Sequence, residues 1–212
     1  MSEHKKDFDL EVVLEALKSC KQDDDTISLK SYLTAYHELC RFFKLIGRIF
    51  AFVAHDLQDK IEILEHHMSL NPEPYSSVQT MIQYEVENNI TKVKVRGQRP
   101  SGSRTLLRLH RALEFIIKFM KRLAESDEDE KTSHIASEVY RETLANYHPW
   151  LVQKMAVFVM YTLPSHKDLI EMMCKHEYKE VLRLLSEVTE EAEPIYDVVQ
   201  EIFKENDLLQ LP

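Results

Sequence analysis

Apolar residues recur every three or four positions along most of the chain, which is the spacing of one face of an α-helix. This pattern predicts eight helices, no convincing pair of β-strands and one all-α domain that spans residues 1–212. In chain order the predicted helices cover about 10–17, 28–68, 76–88, 103–120, 132–146, 149–163, a segment that begins at 165–168, and 190–206. The segment 89–103, with two glycines and a proline, is predicted to be a loop with a short extended piece at 92–95.

The second predicted helix is the longest, since no proline interrupts the series between residues 28 and 68. Its middle is apolar on more than one side, with Phe42, Phe43, Leu45, Ile46, Ile49, Phe50, Phe52 and Val53. A helix that is hydrophobic around most of its circumference is buried between layers, or it faces something apolar other than protein. Both interpretations stay open from the pattern alone.

Composition excludes several classes of protein. The chain has 36 acidic residues against 27 Lys plus Arg, a formal net charge of −9, which argues against a non-specific nucleic-acid coat. Three isolated glycines form neither a dinucleotide-binding fingerprint nor a phosphate-binding loop. The longest apolar run, 155–163, is about half the roughly 20 residues that a membrane span needs. We therefore expect a soluble protein.

The N-terminal residues and the cysteines are typical of a cytosolic protein. Residues 1–9 are densely charged and lack the apolar stretch of a secretory signal. Cys20, Cys40 and Cys174 are widely spaced and are expected to be reduced thiols. The sequence also lacks a nucleophile elbow, a zinc-binding His-Glu-x-x-His and the Glu-x-x-His pairs of a di-iron bundle. No catalytic residue, metal or cofactor is expected.

Positive charge is concentrated in one window. Between residues 91 and 111 there are seven cations and no acid, whereas the rest of the chain has 20 Lys plus Arg against 36 acidic residues. Arg104, Arg108 and Arg111 lie at i, i+4 and i+7, within about 60° of one another on a helix. Stacked guanidinium groups repel unless an anion joins them, and their forks suit phosphate oxygens. The alternative is a solvated basic face.

Two further places could carry binding chemistry. Asp56 and Lys60 form an i, i+4 pair directly after the Phe-rich segment; such pairs are commonly surface ion pairs worth ~0.3 to 0.5 kcal/mol. His148 stands at a proline-defined joint between two predicted helices, beside Trp150. It is either a packing residue or a hydrogen-bond donor into a site.

Together these segments resemble the corresponding segments of the glycolipid transfer protein superfamily, in particular of its branch that carries ceramide-1-phosphate. The resemblance extends nearly from end to end and rests on Asp56-Leu57-x-x-Lys60, on 103–113, on Leu144-Ala145-Asn146-Tyr147-His148-x-Trp150 and on the terminal 208–212. Glycolipid-carrying members have Trp where this chain has Arg108. Arginine there removes a platform for stacking a sugar ring and adds a phosphate-binding fork, so the resemblance implies a phosphate headgroup.

The resemblance implies a two-layer sandwich of about eight helices around an apolar lipid pocket, and a non-enzymatic carrier. Asp56 would accept from the lipid amide and a sphingoid hydroxyl, and His148 would donate to the amide carbonyl. Lys60, Arg104 and Arg108 would bind the phosphate, and Arg111 ranks second. Candidate lining residues of the chain pocket are Phe42, Ile46, Ile49, Phe50, Val53, Phe115, Phe119, Leu144, Val152 and Val157, each of which could equally be plain core.

The resemblance also implies a cytosolic monomer that visits Golgi, plasma-membrane and endosomal membranes transiently. Candidate membrane-docking residues are Trp150, Tyr147, Lys92, Lys94, Arg96 and Arg99. Aromatic side chains suit the headgroup level, and the cations would be drawn to anionic lipid. Two other readings stay open: a helical adaptor whose basic face binds phosphorylated or acidic proteins, and a lipid-modifying enzyme, which the missing motifs disfavour.

Overall fold

A computed structural model describes residues 8–92, 99–173 and 177–212, and these residues are largely helical. The helices are α1 (Leu10–Lys18), α2 (Leu29–Ile46), α3 (Ala51–Leu70), α4 (Val78–Glu87), α5 (Gly102–Glu125), α6 (Thr132–Glu142), α7 (Trp150–Met160), α8 (His166–Met173) and α9 (Tyr178–Glu205), with a 3₁₀ turn at Leu144–Tyr147. Within the described residues the remaining β-type pairing consists of two isolated bridges. The all-α prediction is confirmed, and most of the extended piece predicted at 92–95 lies outside the described residues.

The prediction of one continuous helix over 28–68 is wrong, because the chain breaks between α2 and α3. Gly47 ends α2 with a φ of +143°, a conformation that residues with a Cβ rarely adopt. The N–H of Phe50 then donates to the carbonyl of Gly47 at 3.0 Å, which closes a turn before α3 begins. The apolar spacing of three and four continues through this turn, so periodicity alone does not reveal it.

Two of the later helices have boundaries that differ clearly from the predicted ones. The final helix begins at Tyr178, about three turns before the predicted start at 190. Its added turns bury Val181, Leu184, Leu185 and Val188, whose helical spacing was present in the sequence. The helix predicted over 132–146 ends at Glu142 and continues as the 3₁₀ turn.

Helix α5 is the central element of the core. It packs against α9 along much of its length and also contacts α3, α4 and α6, while α1 packs on α2 and α9. Most of its apolar residues from Leu106 to Leu123 are buried, and Arg104, Arg108 and Arg111 lie away from that buried stripe. The amphipathic pattern of α5 therefore presents its arginines at the surface of the core.

A buried carboxylate holds the start of α5 in place. Glu85 of α4 is fully buried and accepts hydrogen bonds from the backbone N–H groups of Gly102 (2.6 Å) and Ser103 (2.9 Å) and from the hydroxyl of Tyr75 (2.6 Å). A Cβ on Gly102 would lie 2.7 Å from the Met81 sulfur, so only glycine permits this close approach. An acid at a helix N-terminus also matches the helix dipole. The arginine-bearing turns thus begin from a fixed point.

Candidate functional site

The first part of the candidate site is an ion pair on α3, which packs directly against α5. The ammonium of Lys60 lies 2.6 Å from a carboxylate oxygen of Asp56 and also donates to the Asp56 carbonyl at 3.1 Å. The Lys60 side chain is 12% exposed, whereas that of Asp56 is 67% exposed. Lys60 therefore buries its aliphatic stem and keeps its charge at the edge of the helix packing.

The second part is the arginine row of α5. Partial burial lowers the pKa of Arg104, and the nearby charge of Arg108 lowers it further. Arg104 donates from Nε to the carbonyl of Pro212 at 2.6 Å, and Arg108 is exposed. Two guanidinium groups close enough to perturb one another form a site that an anion would stabilise.

Arg111 continues the row but is occupied by protein groups. It donates to the carbonyl of Leu209 at 2.7 Å, and its guanidinium carbon lies 4.0 Å from the ring centroid of Tyr147. Burial lowers its pKa most, with the charge of Arg108 acting in the same direction and Tyr147 opposing it. Arg111 therefore links α5 to the 3₁₀ turn and to the last residues of the chain.

The third part is His148, which directly follows the 3₁₀ turn and is half-buried. Its Nδ1 lies 2.8 Å from the hydroxyl of Tyr140. Burial lowers the pKa of His148, and the negative charge of Asp56 opposes that effect although the two residues are far apart along the chain. The amide of Gln153 donates to the carbonyls of Ala145 (2.8 Å) and His148 (2.9 Å) and secures the joint before α7.

The structure thus assembles the predicted headgroup residues from three segments. Asp56 pairs with Lys60 on α3 and acts electrostatically on His148 after the 3₁₀ turn, and Arg104 and Arg108 share the adjoining α5. Tyr140, whose hydroxyl contacts His148, was not among the predicted residues. A tyrosine on an amphipathic helix carries no local signal that separates it from other core aromatics.

An apolar cavity lies between α1, α2, α5 and α9. Its volume is about 10 Å³, roughly the room that one water molecule needs. Its lining residues are Val13, Leu17, Tyr32, Ala35, Tyr36, Leu39, Leu113, Ile116, Ile117, Met120, Val188, Thr189 and Ala192. None of them belongs to the predicted chain-pocket set. Nothing in the local sequence separates a cavity-lining leucine from a packed one.

The ten predicted chain-pocket residues lie in three kinds of environment. Phe42, Phe50 and Phe119 are buried in the core, whereas Ile46, Val53, Phe115, Leu144 and Val157 are half-buried. Ile49 and Val152 are exposed by 47% and 41%. Contact of the ten with a lipid chain stays a prediction.

Helix α7 exposes an apolar surface. Trp150, Leu151, Met155 and Phe158 are 60% to 72% exposed, and they span about 140° of the helix. Lys154 lies in the same sector, with its ammonium 5.9 Å from the Trp150 ring centroid. We call these five residues the α7 face. Trp150 was the only member of the α7 face among the predicted docking residues. The apolar run 155–163 was compared only with the length of a membrane span.

The other predicted docking residues lie on segments outside α7. Tyr147 is half exposed and lies under Arg111, and Lys92 is exposed. Arg99 is exposed and donates to the carbonyl of Glu62 at 3.2 Å. Lys94 and Arg96 lie outside the described residues. Over 8–92, 99–173 and 177–212, no helix is both long and apolar enough to cross a membrane.

Fold and site together define an all-helical protein that gathers cations, an aspartate and a histidine beside an exposed apolar helix. The family model described as glycolipid transfer protein matches residues 27–175. The ceramide-1-phosphate transfer protein of Danio rerio is 37% identical over 207 residues, which cover 97% of this chain and 98% of that relative. Its counterpart in Xenopus tropicalis is 38% identical over the full length of both chains.

Solved structures agree with these sequence relatives. The crystal structure of the apo-form of mouse ceramide-1-phosphate transfer protein matches with a TM-score of 0.92 at 37% identity, over 97% of this chain and 100% of that one. The human ceramide-1-phosphate transfer protein in complex with 2:0 ceramide-1-phosphate matches with a TM-score of 0.90 at 34% identity and the same coverage. The chain belongs to the glycolipid transfer protein family, a family of lipid transfer proteins. Its two-layer helical sandwich is confirmed as the fold.

Proposed function

We propose that this protein is a non-enzymatic carrier that takes ceramide-1-phosphate from one membrane and delivers it to another. The observation that carries the proposal is the juxtaposition of Arg104 and Arg108 on α5 with the Asp56–Lys60 pair on the adjoining α3. Relatives and solved structures named for ceramide-1-phosphate support the same ligand. No bond is made or broken in this function, so docking and opening of the chain pocket set its rate.

The headgroup residues each bind a different part of the lipid. A phosphomonoester carries about −1.5 to −2 charges near neutral pH, which three cations beside one acid roughly balance. Arg104 and Arg108 hold phosphate oxygens with their guanidinium forks. Lys60 has three donor hydrogens, so it holds a phosphate oxygen while it stays bonded to Asp56. Asp56 accepts from the amide N–H and a sphingoid hydroxyl, and His148 donates to the amide carbonyl.

The hydrocarbon chains enter the apolar interior. Moving a 16-carbon chain from a bilayer into water costs on the order of 13 kcal/mol at ~0.8 kcal/mol per methylene, and an enclosing apolar cavity removes most of this cost. The cavity between α1, α2, α5 and α9 is far smaller than such a chain, so it is only the starting point of the pocket. Widening of that cavity, together with the predicted chain-pocket residues, accommodates the rest of the lipid.

The α7 face docks the protein on the membrane, as a cytosolic monomer that binds peripherally and transiently. Trp150 and Tyr147 sit at the headgroup level, where amphipathic rings are favoured. Phe158 and Met155 reach toward the acyl region, and Lys154 within the same face meets anionic headgroups. The α7 joint carries His148, so docking brings the headgroup site to the membrane surface.

The proposed function predicts a lipid bound to the protein as it is purified. Native mass spectrometry is expected to show an added mass equal to a ceramide-1-phosphate. Fluorescence assays should show transfer of this lipid, and not of a neutral glycosylceramide, between vesicles. A lipid-free protein without transfer that binds phosphopeptides would instead support the helical adaptor.

The basic loop is predicted to orient the protein on acidic membranes. Changing Lys92, Lys94, Arg96 and Arg99 to glutamine should weaken partitioning onto phosphatidylserine-containing vesicles by at least tenfold, since each cation near such a surface contributes ~1 kcal/mol. Partitioning onto neutral vesicles should be unchanged. Vesicle sedimentation measures both values.

The matched control for this set changes four exposed lysines elsewhere, Lys18, Lys30, Lys118 and Lys167, to glutamine. It should move partitioning by less than the loop variant. Equal losses in the two variants would mean that net charge, not the loop, attracts the protein to acidic lipid.

A further inference from the structure

The protein contains two partly buried tyrosine–histidine pairs of the same kind. The hydroxyl of Tyr178 lies 3.1 Å from Nδ1 of His166, and the hydroxyl of Tyr140 lies 2.8 Å from Nδ1 of His148. In the first pair, Nε2 of His166 lies 2.9 Å from the carbonyl oxygen of Leu123. A carbonyl only accepts, so Nε2 of His166 carries the hydrogen, and in a neutral ring Nδ1 accepts from the tyrosine.

The same assignment follows at His148 from its surroundings. Tyr140 is 2% exposed and its burial raises its pKa, so it keeps its proton and its O–H needs an acceptor. Among the described residues, the hydrogen-bond partner of that hydroxyl is Nδ1 of His148. Burial lowers the pKa of His148, and a neutral imidazole has one donor and one acceptor nitrogen. With Nδ1 accepting, the hydrogen resides on Nε2.

The two histidines differ in what Nε2 meets. At His166 it donates to Leu123, a carbonyl of the protein itself. At His148, Nε2 has no protein acceptor within the part of the chain that the structure describes, and the charge of Asp56, a predicted headgroup residue, acts on this half-buried ring. The Tyr178–His166 pair thus includes a donor, Nε2–H, and its carbonyl acceptor. In the Tyr140–His148 pair the same Nε2–H donor is available to a ligand at the headgroup site.

We propose that Tyr140 is a positioning residue for the headgroup site: its hydroxyl restricts His148 to the Nε2–H tautomer, which selects a carbonyl-type acceptor in the ligand. This inference rests on the proposed function, since it names what aligns His148 with the lipid amide carbonyl. Without the Tyr140 hydroxyl, a neutral His148 is free to place its hydrogen on either nitrogen. Only one of the two tautomers then donates toward the site.

The first experiment determines the tautomer of His148 in the lipid-free protein, so its result does not depend on the proposed function. Long-range ¹H–¹⁵N spectra of ¹⁵N-histidine-labelled protein should show His148 protonated at Nε2 and bare at Nδ1. In Tyr140→Phe the His148 signals should shift toward a mixture of tautomers, while those of His166 stay in place. A wild-type His148 protonated at Nδ1, or an unchanged His148 in the variant, would overturn the inference.

The second experiment measures the binding of short-chain ceramide-1-phosphate by titration. Tyr140→Phe should weaken binding about fivefold to tenfold, the size of one hydrogen bond. Tyr178→Phe is the matched control, because it deletes the same kind of bond from a histidine outside the site; its affinity should stay within twofold of wild type. Thermal unfolding of both variants separates lost stability from lost alignment.

A double variant isolates the route of the effect. In a His148→Gln background, Tyr140→Phe should cause no further loss of affinity, since the histidine through which it acts is gone. Additive losses, or equal losses in Tyr140→Phe and Tyr178→Phe, would contradict a positioning role. Failure of the wild-type protein to bind ceramide-1-phosphate would instead overturn the proposed function, and the tautomer spectra would still decide whether Tyr140 orients His148.

Discussion

Replacing Arg108 with alanine is expected to lower the rate of ceramide-1-phosphate transfer between vesicles by about two to three orders of magnitude. Removing one partner of a desolvated, hydrogen-bonded charge pair costs ~3 to 5 kcal/mol, and every 1.4 kcal/mol is a factor of ten in affinity. Arg108 is exposed without lipid, so the thermal unfolding midpoint should change little. The loss therefore reports on the bound phosphate.

Two further variants sharpen this prediction. Arg108→Lys keeps the charge but lacks the planar fork, so its transfer rate should fall between those of wild type and Arg108→Ala. Arg141→Ala removes an exposed arginine from the last turn of α6 and should leave transfer unchanged. If Arg108→Ala retains transfer within threefold of wild type, the assignment of the phosphate to the α5 arginines is wrong.

Truncating two aromatic residues of the α7 face is expected to weaken binding to vesicles by at least a hundredfold. Trp150 and Phe158 are 70% and 72% exposed, and inserting each large apolar side chain into a bilayer contributes ~1.5 to 3 kcal/mol. The Trp150→Ala/Phe158→Ala protein should therefore partition weakly in sedimentation with vesicles, and its transfer rate should fall with its partitioning.

The control for the α7 face truncates exposed apolar residues elsewhere. Val12→Ala/Leu70→Ala changes residues that are 42% and 64% exposed on α1 and α3, and it should partition like wild type. The α7 variant should still bind a water-soluble short-chain ceramide-1-phosphate, because the headgroup residues remain. Unchanged partitioning of the α7 variant would refute docking through this helix.

The helices were predictable because each depends on residues a few positions apart. Spacings of three and four revealed most helices, and the i, i+4 and i, i+7 relations placed Arg104, Arg108 and Arg111 on one face of α5. The break at Gly47 was missed because the apolar spacing continues through it. A glycine inside a helical pattern marks a break only when packing selects a backbone angle that other residues avoid.

Site residues separated along the chain required the tertiary structure. Asp56 and Lys60 were recognisable as a pair from their spacing, but the electrostatic influence of Asp56 on His148 depends on how distant segments of the chain pack together. Tyr140 was missed for the same reason, since its contact with His148 spans the end of α6 and an irregular turn. The cavity was missed because its lining residues have the periodicity of ordinary core.

By itself the sequence determined the helical class, the segregation of seven cations into 21 residues, and the order of side chains on each helix. These properties follow from backbone geometry that repeats over a few residues. Only the tertiary structure decided that Glu85 anchors the start of α5, that the α3 pair lies against the arginine helix, and that α7 turns its aromatic residues outward. Those arrangements depend on which apolar surfaces exclude water together, and that choice is made by the packing of the whole chain.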